Sequence, residues 1–171
     1  MDILELIRSR ESIRNYDPNR AIDSKVLEYI LEAGRLAPSA ANFQPWQFLL
    51  ITSKDMLVEV RKCYPRPWFM DAPHILVVKG NRSKAWKHDN GYNSVETDLA
   101  IAMDHMILAA EQQGVGTCWI AHFKKDILYE ALDLQEDEVV FTLTPLGYPP
   151  EGFKKRGLKI RKPFDEVVKF L

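Results

Sequence analysis

At 171 residues, with 46% hydrophobic side chains and a formal net charge of −1, the chain has the size and apolar content for one globular domain over residues 1–171. The near-balance of charge excludes a general nucleic-acid binder, which carries a basic excess, and no apolar run is long enough to span a bilayer. Acids at Asp2 and Glu5 stand where a secretory leader carries basic and then apolar residues, so a cytoplasmic protein is expected.

Asp2 can cap a first helix whose apolar face includes Ile3, Leu4 and Ile7. Asp23 or Ser24 can cap a second, with Val26, Leu27, Ile30 and Leu31 at helical spacing and Pro38 as its stop. Phe48 to Ile51 reads as a buried strand, Ser53 starts a helix running through Val60, and His74 to Val78 forms the next strand, closed by Gly80. Ser94 to Gln113 has neither Gly nor Pro and is apolar on more than one stripe, so it predicts a helix buried on several sides, against a second subunit as well as its own core. Low net charge leaves little long-range repulsion to oppose such an association. Gly114 and Gly116 end that helix. A short strand Thr117 to Ile120, a helix Lys124 to Leu132 and a last strand Val139 to Leu146 follow. The alternation predicts an α+β sandwich around one sheet.

Four stretches bear on chemistry. Arg10, Ser12 and Arg14 near the start, and Lys159, Arg161 and Lys162 near the end, space cations so that their heads can converge on an anion; alone, each cluster also fits solvated surface charge. Pro38 to Phe48 is a tight loop of small residues with two amides, Asn42 and Gln44, which suit either the edge of a heterocycle or an ordinary polar turn. Gly114 to Ala121 permits a sharp turn with backbone amides aimed at a ring, or simply a helix C-cap, with Trp119 as a core residue. Trp68-Phe69-Met70 and Ala85 to His88 either wall a pocket or stand as surface aromatics. There is no Ser–His–acid arrangement and no metal-ligand cluster. His74, His88, His105 and His122 are read as structural, and Cys63 and Cys118 as buried free thiols.

The order Arg-x-Ser-x-Arg-x-Tyr (Arg10 to Tyr16), Pro-Ser-Ala-Ala-Asn-Phe-Gln-Pro-Trp (Pro38 to Trp46), Gly-Val-Gly-Thr-Cys-Trp-Ile (Gly114 to Ile120) and Lys-x-Arg-Lys-Pro (Lys159 to Pro163) resembles the nitroreductase family of FMN-dependent oxidoreductases, in a compact version. That resemblance implies a sandwich with a central mixed, mainly antiparallel sheet flanked by helices. It implies a homodimer with FMN at the subunit interface. Arg10, Ser12, Lys159 and Arg161 match phosphate-binding positions, and Arg14 a basic position at the ribityl chain and pyrimidine edge. Pro38, Ser39, Ala40 and Asn42 match the loop that a partner subunit lays against the flavin, with Gln44 a further contact. Ile120 and Ala121 fall where backbone groups approach the ring between its dimethylbenzene side and N5. The implied activity is two-step electron transfer from NADH or NADPH through FMN to a small electron-poor aromatic acceptor such as a nitroaromatic or quinone, with no metal and no catalytic side chain. Alternatives on the same site are dehalogenation, or flavin binding without efficient turnover. The family's extra pocket-covering helices have little room here, and its central Asn and Lys flavin contacts have no clear counterpart between Asp71 and Tyr92.

Overall fold

A computed structural model describes residues 2–157 and 159–171. The first helix, α1 (Ile3–Ser9), starts where the sequence predicts: the Asp2 carboxylate accepts from the backbone N–H groups of Leu4 and Glu5, and Glu5 reaches back to the Asp2 N–H. Asp23 caps α2 (Ser24–Arg35) through the Lys25 N–H, and Ser53 caps α3 (Lys54–Arg61) through that of Met56. The remaining elements are β1 (Trp46–Ile51), α4 (Pro67–Met70), β2 (His74–Asn81), α5 (Val95–Gln112), β3 (Gly116–Thr117), α6 (Lys125–Ala131), β4 (Glu138–Gly147) and α7 (Phe164–Val167). The predicted α+β architecture is present.

The sheet runs β1-β2-β4-β3, and all three described strand pairings are antiparallel. The one parallel contact among the described residues is an isolated bridge between Ser12 and Thr117. The inner strand β2 explains the layering. Its side chains alternate across the sheet: Leu76 and Val78 enter a core with Leu99, Met103 and Met106 of α5 and Ile30 of α2, while Ile75 and Val77 enter a second core with Leu57 and Val60 of α3 and Leu128 of α6. All four of these β2 side chains are fully buried. A strand covered on both faces reads as a continuous apolar run rather than an alternating one. Each such side chain contributes about 1.5–3 kcal/mol of burial.

Burial and pairing refine three of these readings. First, Ile3, Leu4 and Ile7 of α1 are 61%, 56% and 42% exposed, and Leu6 is the side chain α1 buries. Apolar spacing located a helix face, but the protomer does not cover it. Second, Thr117 to Ile120 is not one strand. Only Gly116 and Thr117 lie in the ladder, and Ile120 pairs separately with Leu143. The break lies at Cys118, whose N–H bonds the Thr144 hydroxyl instead of a ladder carbonyl. Third, α5 buries most of its apolar stripes within the protomer and leaves Ile101 half-buried. Leu99, Ala102, Met103, Met106, Ile107, Ala109 and Ala110 are all buried within the protomer, because α5 lies between α2 and the sheet.

The β2–α5 approach depends on Gly80. A Cβ there would sit 2.7 Å from Val95 Cγ2, 2.9 Å from Leu99 Cδ2 and 3.2 Å from the Pro45 carbonyl oxygen. Val95 is β-branched and stiff, and the carbonyl is backbone. Gly80→Ala is therefore expected to cost about 1–3 kcal/mol by overpacking. Urea unfolding measures it, and an unchanged midpoint with unchanged slope would contradict the close approach.

Candidate functional site

The two chain ends meet. Glu11 accepts from the Arg156 and Gly157 N–H groups at 3.0 and 2.7 Å, Lys155 bonds the Ser9 carbonyl at 3.1 Å and pairs with Glu111, and Lys159 Nζ donates to the Ile7 and Arg10 carbonyls. Lys159 thus satisfies carbonyls at the C-terminal end of α1, where cations are favoured. This strap brings Arg8, Arg10, Lys159 and Arg161 to the wall of one 280 Å³ cavity, with Asp104 of α5 as the only carboxylate on that wall among the described residues. Burial, and the charges of Arg10 and Arg161, hold the Lys159 ammonium below its usual range. Glu111 and Glu11 offset that effect only in part, and a bound dianion would relieve the remaining repulsion on Lys159.

A 220 Å³ cavity shares Arg10 and Asp104 and continues along Ile107, Thr117 and Trp119. Trp119 is half-buried, packs against the α5-side core and meets Phe141 edge-on at 6.3 Å, so it is both core and cavity wall. Ser12 is placed by the contact of its segment with β3, in which the Ile13 N–H donates to the Thr117 carbonyl at 2.7 Å. Gly116 allows that contact, since a Cβ there would lie 2.9 Å from Ile13 Cγ2. Ser12 and Arg14 both reach the Cys118 thiol, whose pKa is raised by burial against the opposing pull of Arg14. Cys63 and Cys118 are buried free thiols, as the sequence predicts. Arg14 is exposed, with its guanidinium 6.0 Å from the centre of the Trp68 ring. Trp68 is half-buried and packs on Tyr16 at 6.4 Å, so it stands next to Arg14 rather than on an unrelated surface loop. Phe69 is fully buried core, and Trp86 clusters with His88 and Tyr92 elsewhere.

The other predicted positions separate from this group within one protomer. Ile120 exchanges both backbone hydrogen bonds with Leu143 at 3.0 Å, while Ala121 beside it is exposed. Pro38, Ser39, Ala40, Asn42 and Gln44 line neither cationic cavity. Their loop has three non-glycine residues at positive φ: Ala41 at 49°, Asn42 at 58° and Gln44 at 48°. Such geometry persists only where surroundings over-determine it. Gln44 N–H donates to Ser39 Oγ at 2.9 Å, and the Gln44 amide donates to the Asn42 carbonyl and side chain. The fixed end is the Ala40 N–H, which donates to Asp98 Oδ1 at 2.9 Å; Ser94 Oγ donates to the other Asp98 oxygen at 2.7 Å. Asp98 is 2% exposed on the core side of α5. Sequence reasoning missed it, although an acid one helical turn from both Val95 and Ala102 was a usable signal. No group of three or more metal-ligating side chains occurs among the described residues, nor any helix long and apolar enough to cross a membrane.

Comparison with known proteins places this geometry in context. Residues 7–65 and 56–148 match the Nitroreductase family. An Archaeoglobus fulgidus protein provisionally named an NADH dehydrogenase/NAD(P)H nitroreductase is 31% identical over 154 residues, covering 88% of this chain and 87% of the relative. The crystal structure of a nitroreductase family protein from Clostridium difficile 630 is 29% identical with a TM-score of 0.90, covering 99% of this chain and 98% of that one. A Clostridium difficile R20291 protein described as an FMN-dependent nitroreductase shares the fold, with a TM-score of 0.81 at 23% identity and 98% coverage of each chain. A match that takes in the N-terminal arginines, the strained loop and the strand beside them makes this chain a member of the nitroreductase family.

Proposed function

We propose that the chain binds FMN and passes electrons from NADH or NADPH to an electron-poor aromatic acceptor such as a nitroaromatic or quinone. The observation that carries this reading is the convergence of Arg10, Lys159 and Arg161, from opposite ends of the sequence, on one cavity whose cations repel one another. That cavity fits a phosphate dianion, with Arg10, Arg161 and Lys159 supplying charged donors and Ser12 lying close by on the β3 side. Arg14, carried over Trp68, would offer its guanidinium to the pyrimidine edge of the ring, where added electrons concentrate negative charge. Bound FMN would supply two-electron chemistry at N5, which no protein side chain here provides.

The loop from Pro38 to Gln44 would serve a partner's site. It is held rigid from α5 yet lies away from its own cationic cavity, with Phe43 53% exposed. We propose a homodimer, covering this loop, the bare face of α1 and the apolar side chains of the C-terminal segment: Ile160, Phe164 and Phe170 are 87%, 68% and 89% exposed. Sedimentation equilibrium checks the dimer; a monomer at micromolar concentration would sink it.

The activity is tested by anaerobic mixing of FMN-loaded protein with NADH or NADPH. Rapid bleaching of the yellow colour is expected, followed by reoxidation on adding a nitroaromatic. Steady-state double-reciprocal plots are expected to be parallel, since reductant and acceptor would use one exposed ring face in turn. Intersecting lines would reject the alternation, and a flavin that stays oxidised would leave a binding protein without turnover.

A further inference from the structure

A second cavity, of 450 Å³, opens between the segment after α3 and the segment before α6. The Lys124 N–H bonds the Cys63 carbonyl at 2.8 Å and clips the two segments together. Its wall is chemically one-sided. Tyr64, Pro65 and Phe123 give flat apolar surface, and Arg66, His122 and Lys124 give donors, with no acid on the wall. None of the three basic residues is in an ion pair among the described residues. The Cys63 thiol is pushed up to about 12 by burial, so it adds no negative charge.

The placement of two of these cations goes against local preference. Arg66 is the N-cap of α4 and Lys124 the N-cap of α6, and neither makes a side-chain cap hydrogen bond. N-caps favour Ser, Thr, Asp or Asn, and positive charge is disfavoured at that end of a helix. Both exceptions border the same cavity, and sites where local rules fail together are where function is expected. A ring contact links the cavity to Arg14. Tyr64 on its wall meets Trp68 edge-on at 5.7 Å, the same Trp68 that carries Arg14.

We infer that this cavity is a subsite for the acceptor, selecting planar aromatic molecules that carry a carboxylate: the ring lies against Tyr64 and Phe123, and Arg66 and Lys124 hold the anion, with His122 beside them. This inference rests on the reductase reading for its placement, but its test does not need turnover. The probes are 4-nitrobenzoate and 4-nitrobenzamide, nearly isosteric and differing in charge. Ligand-observed NMR titration of the purified protein is expected to show the anion binding about tenfold more tightly, from one charge-assisted contact beyond the shared ring. Arg66→Ser with Lys124→Ser supplies better helix caps, so folding is expected to be kept or improved, and the preference is expected to fall to about one while nitrobenzamide binding is unchanged.

Equal binding of the two probes by the native protein, or a preference that survives the double substitution, would overturn the inference. A changed NADPH-to-NADH binding ratio in the variant, with the nitrobenzoate preference intact, would also overturn it by assigning the cations to the reductant's extra phosphate. Charge-selective binding without flavin bleaching would sink the reductase reading alone; bleaching without charge selection would sink this inference alone.

Discussion

Arg10→Ala is expected to weaken FMN binding by one to two decades. A charged hydrogen bond to phosphate is worth about 1.5–3 kcal/mol, and about 1.4 kcal/mol is a factor of ten. Arg161→Ala is expected to lose a similar amount. The double substitution should fall short of the sum, because both guanidinium groups address one dianion and the remaining cations can shift toward it. Stability should change little, since neither arginine forms an ion pair with a carboxylate among the described residues. Fluorescence titration of apoprotein with FMN measures the loss, and the native protein's affinity should also fall with added salt. Wild-type affinity in Arg10→Ala would show that the cavity shared by Arg8, Arg10, Lys159 and Arg161 holds something else.

Asp98→Ala is expected to destabilise the fold by roughly 2–4 kcal/mol, because the Ala40 N–H and the Ser94 hydroxyl both lose an acceptor in a buried place. Asp98→Asn keeps one acceptor oxygen and is expected to cost roughly half as much. The consequence reaches the loop. Ala41, Asn42 and Gln44 at positive φ each carry conformational strain of about 1–2 kcal/mol, less for Asn42, and the Asp98 anchor is what joins that loop to α5. Released from it, the loop should relax, and FMN affinity should fall further than stability alone accounts for. Chemical denaturation gives the first effect. Limited proteolysis at the loop gives the second, and unaltered cleavage in Asp98→Ala would show that the loop holds its own shape.

These two cases differ in how much could be read beforehand. Arg10, Ser12 and Arg14 were identifiable because a basic cluster with a hydroxyl is a local pattern, and the expectation that Arg10 meets Lys159 and Arg161 followed from a family order that spans the chain. Asp98 was not, because its role lies in a bond to a residue 58 positions away. Cys118 was rightly taken as a buried thiol, but nothing local announced that Ser12 and Arg14 would close on it. The cations Arg66 and Lys124 carry no local motif either. They became a group only when a backbone bond joined two loops.

Local physics was enough to determine the start of α1 at Asp2, the extent of α5 from Ser94 to Gln113 to within a residue, and the buried run of β2, since caps, helical spacing and uninterrupted apolar stretches act between near neighbours. The tertiary structure alone decided which apolar faces are covered. Most of the apolar positions of α5 are buried inside the protomer, while Ile3, Leu4 and Ile7 of α1 stand in solvent. Periodicity shows that a face is apolar but says nothing of what lies opposite. That depends on how distant segments pack, and the same packing converts scattered cations into two cavities of positive charge.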